Sequence, residues 1–268
     1  MSERIGLIAG NGQFPVLFAK SALSCAREVV AIAVREETTP ELEKYVQKTY
    51  WIGVGELKEF FRILKKEGLK KVVMAGQIRP AHIFDENISM DGDLKRFLKK
   101  AKDKRAGSLL GEIAAMLRKM GIRLLDSTTF LKGHLTPRGI LTNLKPAPSQ
   151  WQDIRFGASI ARRLARLDVG QTVVVKDKAV LAVEAIEGTD ETIRRGGALA
   201  GAGAVVVKVS RPRQDMRFDV PFVGPGTIDS LVAASCAVLA MQAGKTILFE
   251  KDACLKIADE NNISLVGI

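Results

Sequence analysis

Residues 5–33 read IGLIAGNGQFPVLFAKSALSCAREVVAIA, and this stretch decides the fold of the N-terminal half. It begins with the apolar run Ile5–Ile8 and ends with a second apolar run, Val29–Ala33. Between them, a glycine-rich turn leads into Phe14–Ala26, which has a helical pattern. Short apolar runs bounded by turn residues are typical of buried strands, and strands that alternate with helices pair in parallel. The stretch therefore predicts a strand–helix–strand unit.

The same alternation of apolar runs and helical patterns continues along the N-terminal half. Further strands are predicted at Lys71–Ala75 and Ile122–Leu125, and further helices at Glu56–Lys66 and Ser108–Met120. Regular strand–helix alternation produces a mainly parallel sheet with helices on both sides. We therefore predict a Rossmann-like N-terminal α/β domain over residues 1–134.

Proline and glycine cluster between Gly133 and Ser149, which indicates a linker. A chain of 268 residues also favours two domains over one. We therefore predict a C-terminal α/β domain over residues 135–268. Its helices are predicted at Trp151–Leu167 and at Thr227–Ala243, the second with Thr227 as N-cap and Gly244 after its end, and a short helix is predicted between its last two strands. Its strands are predicted at Gln171–Val175, Ala179–Glu184, Ala204–Val209, Thr246–Phe249 and Ile263–Val266, with a hairpin turn at Lys176-Asp177-Lys178.

Charge and composition narrow the classes of function. The net charge of +11 favours anionic partners such as phosphates, nucleic acid or an anionic membrane surface. Only two histidines are present, which excludes histidine-rich dimetal phosphoesterase sites. Three cysteines without CxxC spacing indicate a reducing compartment. Because no signal-peptide pattern is visible and the longest apolar run, Leu231–Met241, is too short to span a bilayer, we expect a soluble, cytoplasmic protein.

A strongly basic segment lies between Lys95 and Arg105, where seven residues are Lys or Arg. Along and just before it, Leu94, Phe97, Leu98 and Ala101 keep the helical i, i+3, i+4, i+7 spacing. A basic amphipathic helix can lie on anionic lipid. The alternative is an ordinary surface helix that packs its apolar stripe on its own domain, and the sequence leaves both open.

A glycine-rich loop follows the first predicted strand and is formed by Gly10, Asn11, Gly12 and Gln13. Glycines in such a loop allow the backbone to approach a phosphate, whose charge the helix N-terminus stabilises. We predict that these four residues contact the nucleotide or phosphate. The dinucleotide fingerprint GxGxxG would require a third glycine where Pro15 stands, which disfavours an NAD site.

Acidic and basic residues are interleaved in two stretches of the C-terminal half. Residues 183–190 read VEAIEGTD and lead into Arg194 and Arg195, and residues 208–221 read KVSRPRQDMRFDVP. Carboxylates can hold magnesium and polarise water, while Lys and Arg neutralise charge on phosphoryl oxygens. Together with the glycine-rich helix start at Gly224, these stretches are what a magnesium–pyrophosphate site requires.

At these stretches the sequence resembles the LpxI-type UDP-2,3-diacylglucosamine diphosphatase family of lipid A biosynthesis, over essentially the whole chain. The resemblance implies two α/β domains that hold the lipid product between them. It also implies magnesium-dependent hydrolysis of the pyrophosphate to UMP and 2,3-diacylglucosamine 1-phosphate (lipid X). The motifs that carry it are GLIAG at 6–10 with Gly12 and Pro15, TPRG at 136–139, DVGQ at 168–171, VLAVEAIEGTD at 180–190, and QDMRFDVP at 214–221 with Gly224.

The resemblance also suggests roles for individual residues. Asp219 occupies the aspartate of the family's Arg-x-Asp-hydrophobic-Pro motif, on which activity is expected to depend. We assign catalysis and Mg²⁺ binding to Asp219, Glu184 and Asp190. The residues predicted to bind substrate are Gly10, Asn11, Gly12, Gln13, Thr189, Arg194, Arg195, Lys208, Gln214, Arg217 and Gly224.

One position departs from the family pattern. Where Glu-Ala-Gly is expected, this chain has Gln242-Ala243-Gly244. A neutral amide is neither a strong metal ligand nor a base, so we expect Gln242 to have a packing or capping role.

The expected partners follow from the resemblance and from the charge. They are a lipid-linked sugar-nucleotide substrate and a transient contact with an anionic membrane surface at the inner face of the inner membrane, with a homodimer left open. One alternative is a basic protein that binds membrane or nucleic acid without catalysis, although eleven Phe, two Trp and two Tyr offer little for base stacking. A second alternative, a dinucleotide-dependent oxidoreductase, is disfavoured by Pro15.

Overall fold

The computed structural model describes residues 4–79, 88–101, 106–212, 214–218 and 220–268, without the side chains of residues 106 and 107. It divides into two compact units. The N-terminal unit contains Met1–Leu131 and Asp215–Asp219, and the C-terminal unit contains Lys132–Gln214 and Val220–Ile268. The predicted boundary follows residue 134, whereas this division follows Leu131. The short segment with Arg217 is also part of the N-terminal unit, which no pattern in the sequence indicates.

The N-terminal unit is a parallel α/β structure. Its strands are β1 (Arg4–Ala9), β2 (Glu28–Val34), β3 (Lys48–Ile52), β4 (Lys71–Ala75) and β5 (Arg123–Leu124). Its helices are α1 (Phe14–Ser24), α2 (Leu57–Lys66), α3 (Gly92–Lys100) and α4 (Ala106–Lys119), with a 3-10 helix at Pro40–Tyr45. The sheet has the order β3-β2-β1-β4-β5, and all its pairs are parallel. The predicted parallel α/β unit is thus confirmed, and β3 and the 3-10 helix are additions.

Apolar periodicity explains how α2 and α4 cover this sheet. Phe60 and Leu64 of α2 and Leu117 of α4 are buried in one cluster with Val30 and Ile32 of β2. Alternate residues of a strand point to the same face, so Val30 and Ile32 present one apolar surface to these helices. Helix α1 packs on β1, β2 and β4.

Helix α3 contains the described part of the basic segment. Its Leu94 and Phe97 pack against the core of the N-terminal unit. The apolar stripe is therefore used within its own domain, as the second of the two sequence interpretations predicts. The exposed basic residues of α3 are Lys95, Arg96, Lys99 and Lys100, while Lys102, Lys104 and Arg105 lie outside the described residues.

The C-terminal unit is a mixed α/β structure. Its strands are β6 (Gly139–Ile140), β7 (Thr172–Lys176), β8 (Ala179–Val183), β9 (Val205–Lys208), β10 (Phe222–Val223), β11 (Val238–Met241), β12 (Ile247–Leu248) and β13 (Ser264–Gly267). Its helices are α5 (Pro148–Arg166), α6 (Thr189–Ala200), α7 (Pro225–Ala233) and α8 (Lys251–Glu260). The main sheet has the order β6-β13-β11-β9-β7-β8. Strands β9, β11 and β13 are parallel, whereas β6 pairs antiparallel with β13, β7 with β9, and β8 with β7. Strands β10 and β12 form a separate parallel pair.

The predicted long helix Thr227–Ala243 is wrong. The structure has the shorter helix α7, then a residue with positive φ, Ser235 at 48°, and then the buried strand β11. Strand β11 lies between β9 and β13, so every one of its residues is buried. A continuous apolar run has the same appearance in a buried strand and in a buried helix, which is why periodicity failed here. Gly224 rather than Thr227 precedes the first turn of α7, and Gly244 lies in a turn after β11.

The predicted hairpin between β7 and β8 is confirmed. The two strands pair antiparallel, and the turn residues Asp177 and Lys178 have φ of 49° and 60°. Both values match a type I′ turn, the usual connection of a tight hairpin. Within the described ranges, no helix has the length and apolar character needed to cross a bilayer.

Candidate functional site

Two of the buried charged residues in the C-terminal unit, Lys208 and Glu184, lie at one edge of its main sheet. Lys208 is the last residue of β9. Because β7 runs antiparallel to β9, its first residue, Thr172, pairs with Lys208 at the same edge. Glu184 follows the last residue of β8, whose end pairs with the start of β7. Ligands of open α/β sheets bind outside the carboxyl ends of the parallel strands, so this edge is where a site is expected.

Three of the predicted site residues meet at this edge. Lys208 Nζ donates to Thr189 Oγ1 at 2.6 Å, and Thr189 Oγ1 donates to Glu184 Oε1 at 2.7 Å. Lys208 is only 5% exposed and Glu184 only 7%. A charge buried this deeply is tolerated in proteins when it is paired and hydrogen-bonded. The ammonium and the carboxylate therefore depend on each other for their place in the fold.

The pKa of Glu184 reflects this pairing. Burial alone would raise the pKa of the carboxyl group, but the charge of Lys208 and hydrogen bonds from Thr189, Thr172 and the Gln171 backbone outweigh burial and lower it. Glu184 is therefore an ionised carboxylate at neutral pH, with its charge balanced by Lys208.

The chain just before β7 forms one wall of the site. Gln171 N donates to Glu184 Oε2 at 3.1 Å, and Gln171 O accepts from Val209 N at 2.9 Å. At Gly170, a side-chain Cβ would lie 1.9 Å from Glu184 O, so only glycine permits this close approach. The Asp168 carboxylate forms an ion pair of 2.8 Å with Arg211, which ties this wall to the chain after β9. We refer to Gln171, Glu184, Thr189 and Lys208 as the carboxyl-edge cluster.

Gln242 stabilises the neighbouring turn. Its side-chain oxygen accepts hydrogen bonds from Ser210 N at 2.9 Å and from Ser210 Oγ at 3.1 Å, and its backbone N donates to Lys208 O at 3.0 Å. These contacts fix the chain immediately after β9. They agree with a capping role for Gln242, and the acceptor oxygen of the amide is sufficient for that role.

The other predicted residues of helix α6 lie at its surface. Asp190 is exposed in the first turn, and Arg194 forms an ion pair with Glu191. Arg195 donates to Glu187 Oε1 at 2.8 Å and to Val183 O at 2.9 Å, so it links α6 to the end of β8. Their roles toward metal or substrate stay predictions.

The glycine-rich loop lies in the N-terminal unit, at the carboxyl end of β1. A Cβ at Gly10 would lie 2.5 Å from Gln77 O, and Asn11 N donates to the same oxygen at 2.7 Å. Gly10 is therefore needed for close contact with the chain after β4, independently of any phosphate. Gly12 has φ of 86°, which favours glycine, and Gln13 precedes the first turn of α1. The loop lies between β1 and β4, where the strand order reverses, and ligands of doubly wound sheets bind at such points.

Glu37 supports this loop and was missed by the sequence reasoning. Its fully buried side chain accepts from Asn11 Nδ2 at 3.0 Å and from Arg79 N at 2.7 Å, and it pairs with Arg79 Nε at 3.1 Å. Burial would raise the pKa of Glu37, but these hydrogen bonds and the charge of Arg79 lower it. A single acid in a loop gives no sequence signal of this kind, because its partners are distant along the chain.

The predicted residues between β9 and β10 are distributed over both units. Gln214, in the C-terminal unit, accepts from Arg211 N at 2.6 Å. Arg217, in the N-terminal unit, binds Asp215 through two hydrogen bonds of 2.8 and 2.5 Å, which lower the pKa of Asp215. Asp219 lies outside the described residues, so its catalytic role stays a prediction.

In the part of the chain that the structure describes, the carboxylates are not clustered as a metal site built from several protein ligands requires. No group of three or more His, Cys, Asp or Glu side chains comes together there. Magnesium nevertheless needs only one or two protein carboxylates when phosphate oxygens and water complete its coordination. Glu184 and the exposed Asp190 stay predictions as ligands of such an ion, and both oxygens of Glu184 already accept hydrogen bonds, from Gln171 N and Thr189 Oγ1.

Two models of known protein families together match nearly the whole chain. The model of the LpxI N-terminal domain matches residues 4–134, and the model of the LpxI C-terminal domain matches residues 137–266. The chain belongs to the LpxI family. UDP-2,3-diacylglucosamine pyrophosphatase LpxI of Caulobacter vibrioides is a relative with 31% identity over 277 residues, which span 99% of this chain and 98% of the relative. The LpxI resemblance stated from the sequence motifs is thus confirmed.

Solved structures with some similarity are distant from this LpxI chain. The biotin carboxylase subunit of a pyruvate carboxylase has a TM-score of 0.28 and 16% identity, with 69% of this chain and 36% of that chain covered. A biotin carboxylase from Campylobacter jejuni has a TM-score of 0.30 and 11% identity, with 75% and 42% covered. Similarity at this level carries no argument about the fold or the function of the LpxI chain.

Proposed function

We propose that this chain hydrolyses the pyrophosphate bond of UDP-2,3-diacylglucosamine to UMP and 2,3-diacylglucosamine 1-phosphate, in lipid A biosynthesis. The observation that carries this proposal is the match of both LpxI domains along the chain, together with 31% identity to a named pyrophosphatase over 99% of its length. The alternatives of a basic binding protein without catalysis and of an oxidoreductase are not favoured by this match.

The carboxyl-edge cluster supports the chemistry of this proposal. A pyrophosphate gains negative charge on its bridging oxygen as the P–O bond breaks. Lys208, fixed by Thr189 at a buried edge, is suited to stabilise that charge, because an ammonium acts more strongly at low dielectric than in water. Since Thr189 is in turn held by Glu184, the ammonium is preorganised and does not have to be ordered during the reaction.

Magnesium dependence is a further part of the proposal. Asp219, Glu184 and Asp190 would hold the ion, and when bound it would neutralise phosphoryl charge and lower the pKa of a coordinated water. Arg194, Arg195 and Arg217 would bind phosphate oxygens, and Gly10, Asn11, Gly12 and Gln13 would contact the nucleotide. Thr189, Gln214 and Gly224 complete the proposed substrate site.

We also propose that the protein is cytoplasmic and meets its substrate at the anionic inner face of the inner membrane. The net charge of +11 and the exposed Lys95, Lys99 and Lys100 of α3 support such a contact. Because Leu94 and Phe97 pack on their own core, the contact would be electrostatic and would weaken with salt. Co-sedimentation with phosphatidylglycerol vesicles at two salt concentrations tests it.

The proposed function is tested by release of UMP from UDP-2,3-diacylglucosamine. We expect release with magnesium, loss of release with EDTA, and recovery when magnesium is added back. Asp219→Ala should reduce kcat by about 100-fold or more while leaving Tm unchanged. An exposed acid in α8, Asp252, provides the control, because Asp252→Ala should keep full activity. A folded wild-type protein that releases no UMP under any of these conditions would contradict the proposal.

A further inference from the structure

Helix α5 carries a row of arginines along its exposed side. Arg155, Arg162 and Arg166 follow one another at i, i+7 and i+11, so they lie on one side of the helix over about 16 Å, with Arg163 beside them. All four residues are exposed. The buried side of the helix packs on the main sheet through Ile154, Ala158, Ala161 and Ala165.

The positive charge of this row is not balanced within the helix. The single acid of α5, Asp153, is buried and accepts hydrogen bonds from the backbone of the β7–β8 turn. Three exposed arginines on other helices each pair with an acid one turn earlier, in the pairs Arg62–Glu59, Arg96–Asp93 and Arg194–Glu191. Such pairs are typical of a helix surface that faces water. An exposed face of arginines alone instead favours an anionic partner.

Two exposed aliphatic side chains extend this row beyond the end of α5. Leu167 is 73% exposed and Val169 is 44% exposed, while Asp168 between them forms an ion pair with Arg211. The aromatic residues of α5 pack against the core of their own unit. Aliphatic side chains beside cations suit the interface of a lipid bilayer, whereas single-stranded nucleic acid is bound by exposed aromatic rings. The surface therefore favours an anionic lipid bilayer.

The end of the row lies next to the carboxyl-edge cluster. Four residues separate Arg166 from Gln171, whose N donates to Glu184 Oε2. Within this connection, Val169 N donates to the carbonyl oxygen of Leu164, and Gly170 is in close contact with the Glu184 backbone. A bilayer that contacts the end of α5 is therefore adjacent to the edge of the sheet that carries the cluster.

We propose that the arginine row of α5, together with Leu167 and Val169, docks the protein on the anionic surface of a membrane. The guanidinium groups bind lipid phosphates, and the two aliphatic side chains enter the interface. Under the proposed function, on which this inference rests, the diacylated substrate then reaches the carboxyl-edge cluster while its acyl chains are still in the bilayer.

Co-sedimentation with phosphatidylglycerol vesicles measures the docking. A basic residue near an anionic surface contributes about fivefold to binding, so Arg155→Gln/Arg162→Gln/Arg166→Gln should weaken it about 100-fold. Arg163 is kept so that the last turn of α5 retains a cation. The matched control, Lys58→Gln/Arg62→Gln/Lys65→Gln on the exposed side of α2, loses the same charge and should weaken binding less than about threefold.

A second variant tests the aliphatic part of the surface. Leu167→Ser/Val169→Ser removes apolar area without changing the charge, so it should weaken vesicle binding about tenfold. Unlike the loss in the arginine variant, this loss should persist at high salt, because apolar burial is not screened. Binding by Leu167→Ser/Val169→Ser that equals wild type would limit the contact to the arginines and contradict insertion.

Activity separates docking from the reaction. With substrate in phosphatidylglycerol vesicles, the arginine variant should lose about tenfold in kcat/KM, whereas with substrate in nonionic detergent micelles it should match wild type. Wild-type protein that releases no UMP from either form would contradict the proposed function, and vesicle binding would still test α5.

Three outcomes overturn the inference. The arginine variant could bind phosphatidylglycerol vesicles as tightly as wild type, or wild type could bind phosphatidylcholine vesicles equally well. Loss of binding only in Lys95→Gln/Lys99→Gln/Lys100→Gln would assign the contact to α3. Tighter binding of wild type to single-stranded DNA than to the vesicles, at the same salt concentration, would make nucleic acid the partner.

Discussion

At the scale of single residues, Lys208 and Glu184 are buried charges that stabilise each other through Thr189. Removing one member of a buried pair leaves the other charge uncompensated, which typically costs about 3–5 kcal/mol. We expect Lys208→Met to lower the free energy of unfolding by about that amount. The double variant Lys208→Met/Glu184→Gln should recover a large part of the loss, because no buried charge remains.

Urea unfolding of the wild type, both single variants and the double variant measures this coupling. Lys99→Met on the exposed side of α3 controls for the loss of a positive charge and should change the free energy of unfolding by less than about 0.5 kcal/mol. A double variant that is as unstable as the sum of its single variants would show that the two charges act independently.

Single residues also show where sequence reasoning about the site succeeds. Glu184, Thr189 and Lys208 could be selected because they lie in the two stretches of interleaved charged residues that resemble the LpxI family, and the structure brings them together. Gln171 could not be selected in this way. It contacts Glu184 through its backbone N–H, which every residue except proline has.

At the scale of secondary structure elements, Glu67 at the end of α2 links that helix to two strands. Its carboxylate accepts hydrogen bonds from Lys48 Nζ at 2.8 Å, from Arg4 Nη2 at 2.5 Å and from the Tyr50 hydroxyl group. Hydrogen bonds from Lys48, Tyr50 and Arg4 lower the pKa of Glu67 from 4.5 to about 2. Since β1 begins with Arg4, this cluster joins α2 to both β1 and β3.

The lowered pKa of Glu67 predicts a pH dependence of stability. Folding favours the ionised form of Glu67. Its contribution to the free energy of unfolding is therefore fully present above the unfolded pKa of 4.5 and is lost as the pH falls toward about 2. Glu67→Gln should therefore reduce the loss of stability below pH 4.5. Urea unfolding between pH 6 and pH 3 measures it, with Glu260→Gln on the exposed face of α8 as control. Equal pH profiles for wild type and Glu67→Gln would contradict the assignment.

The elements also show why some predictions failed. Helix α6 was missed because Gly196 and Gly197 disfavour helix, yet a Cβ at Gly196 would lie 2.6 Å from Val174 Cβ, and one at Gly197 would lie 2.5 Å from Ala234 Cβ. Tertiary packing thus requires two glycines where local propensity does not favour a helix. The parallel strands of the N-terminal sheet were predictable because each is a short apolar run bounded by turn residues.

At the scale of the whole molecule, the segment after Gln214 belongs to the N-terminal unit although its flanks belong to the C-terminal unit. Ser127 anchors it there, since Ser127 N donates to Met216 O at 2.9 Å, and Ser127 Oγ lies 2.7 Å from Arg217 O and 2.6 Å from Met74 O. Arg217 thereby depends on a residue that is 90 positions away in the chain.

Ser127→Ala should therefore affect both stability and catalysis. Loss of a buried hydroxyl whose single hydrogen is shared between two carbonyl oxygens should lower the free energy of unfolding by about 1–2 kcal/mol. If Arg217 binds phosphate as proposed, displacement of its segment should also lower kcat/KM. Ser149→Ala, at an exposed position of α5, is the control for both measurements. Unchanged kcat/KM in Ser127→Ala would contradict a role of Arg217 in substrate binding.

The membership of residues 215–219 in the N-terminal unit has a consequence for recombination within the family. A chimaera made by joining the first half of one member to the second half of another would inherit this segment from the wrong parent. The segment from one parent would then have to pack against the N-terminal unit of the other parent, whose residues differ from its own. A viable chimaera should exchange the segment together with the first half, in three pieces of chain rather than two. Each unit is thus compact, but the N-terminal unit is not encoded by one continuous stretch of the gene.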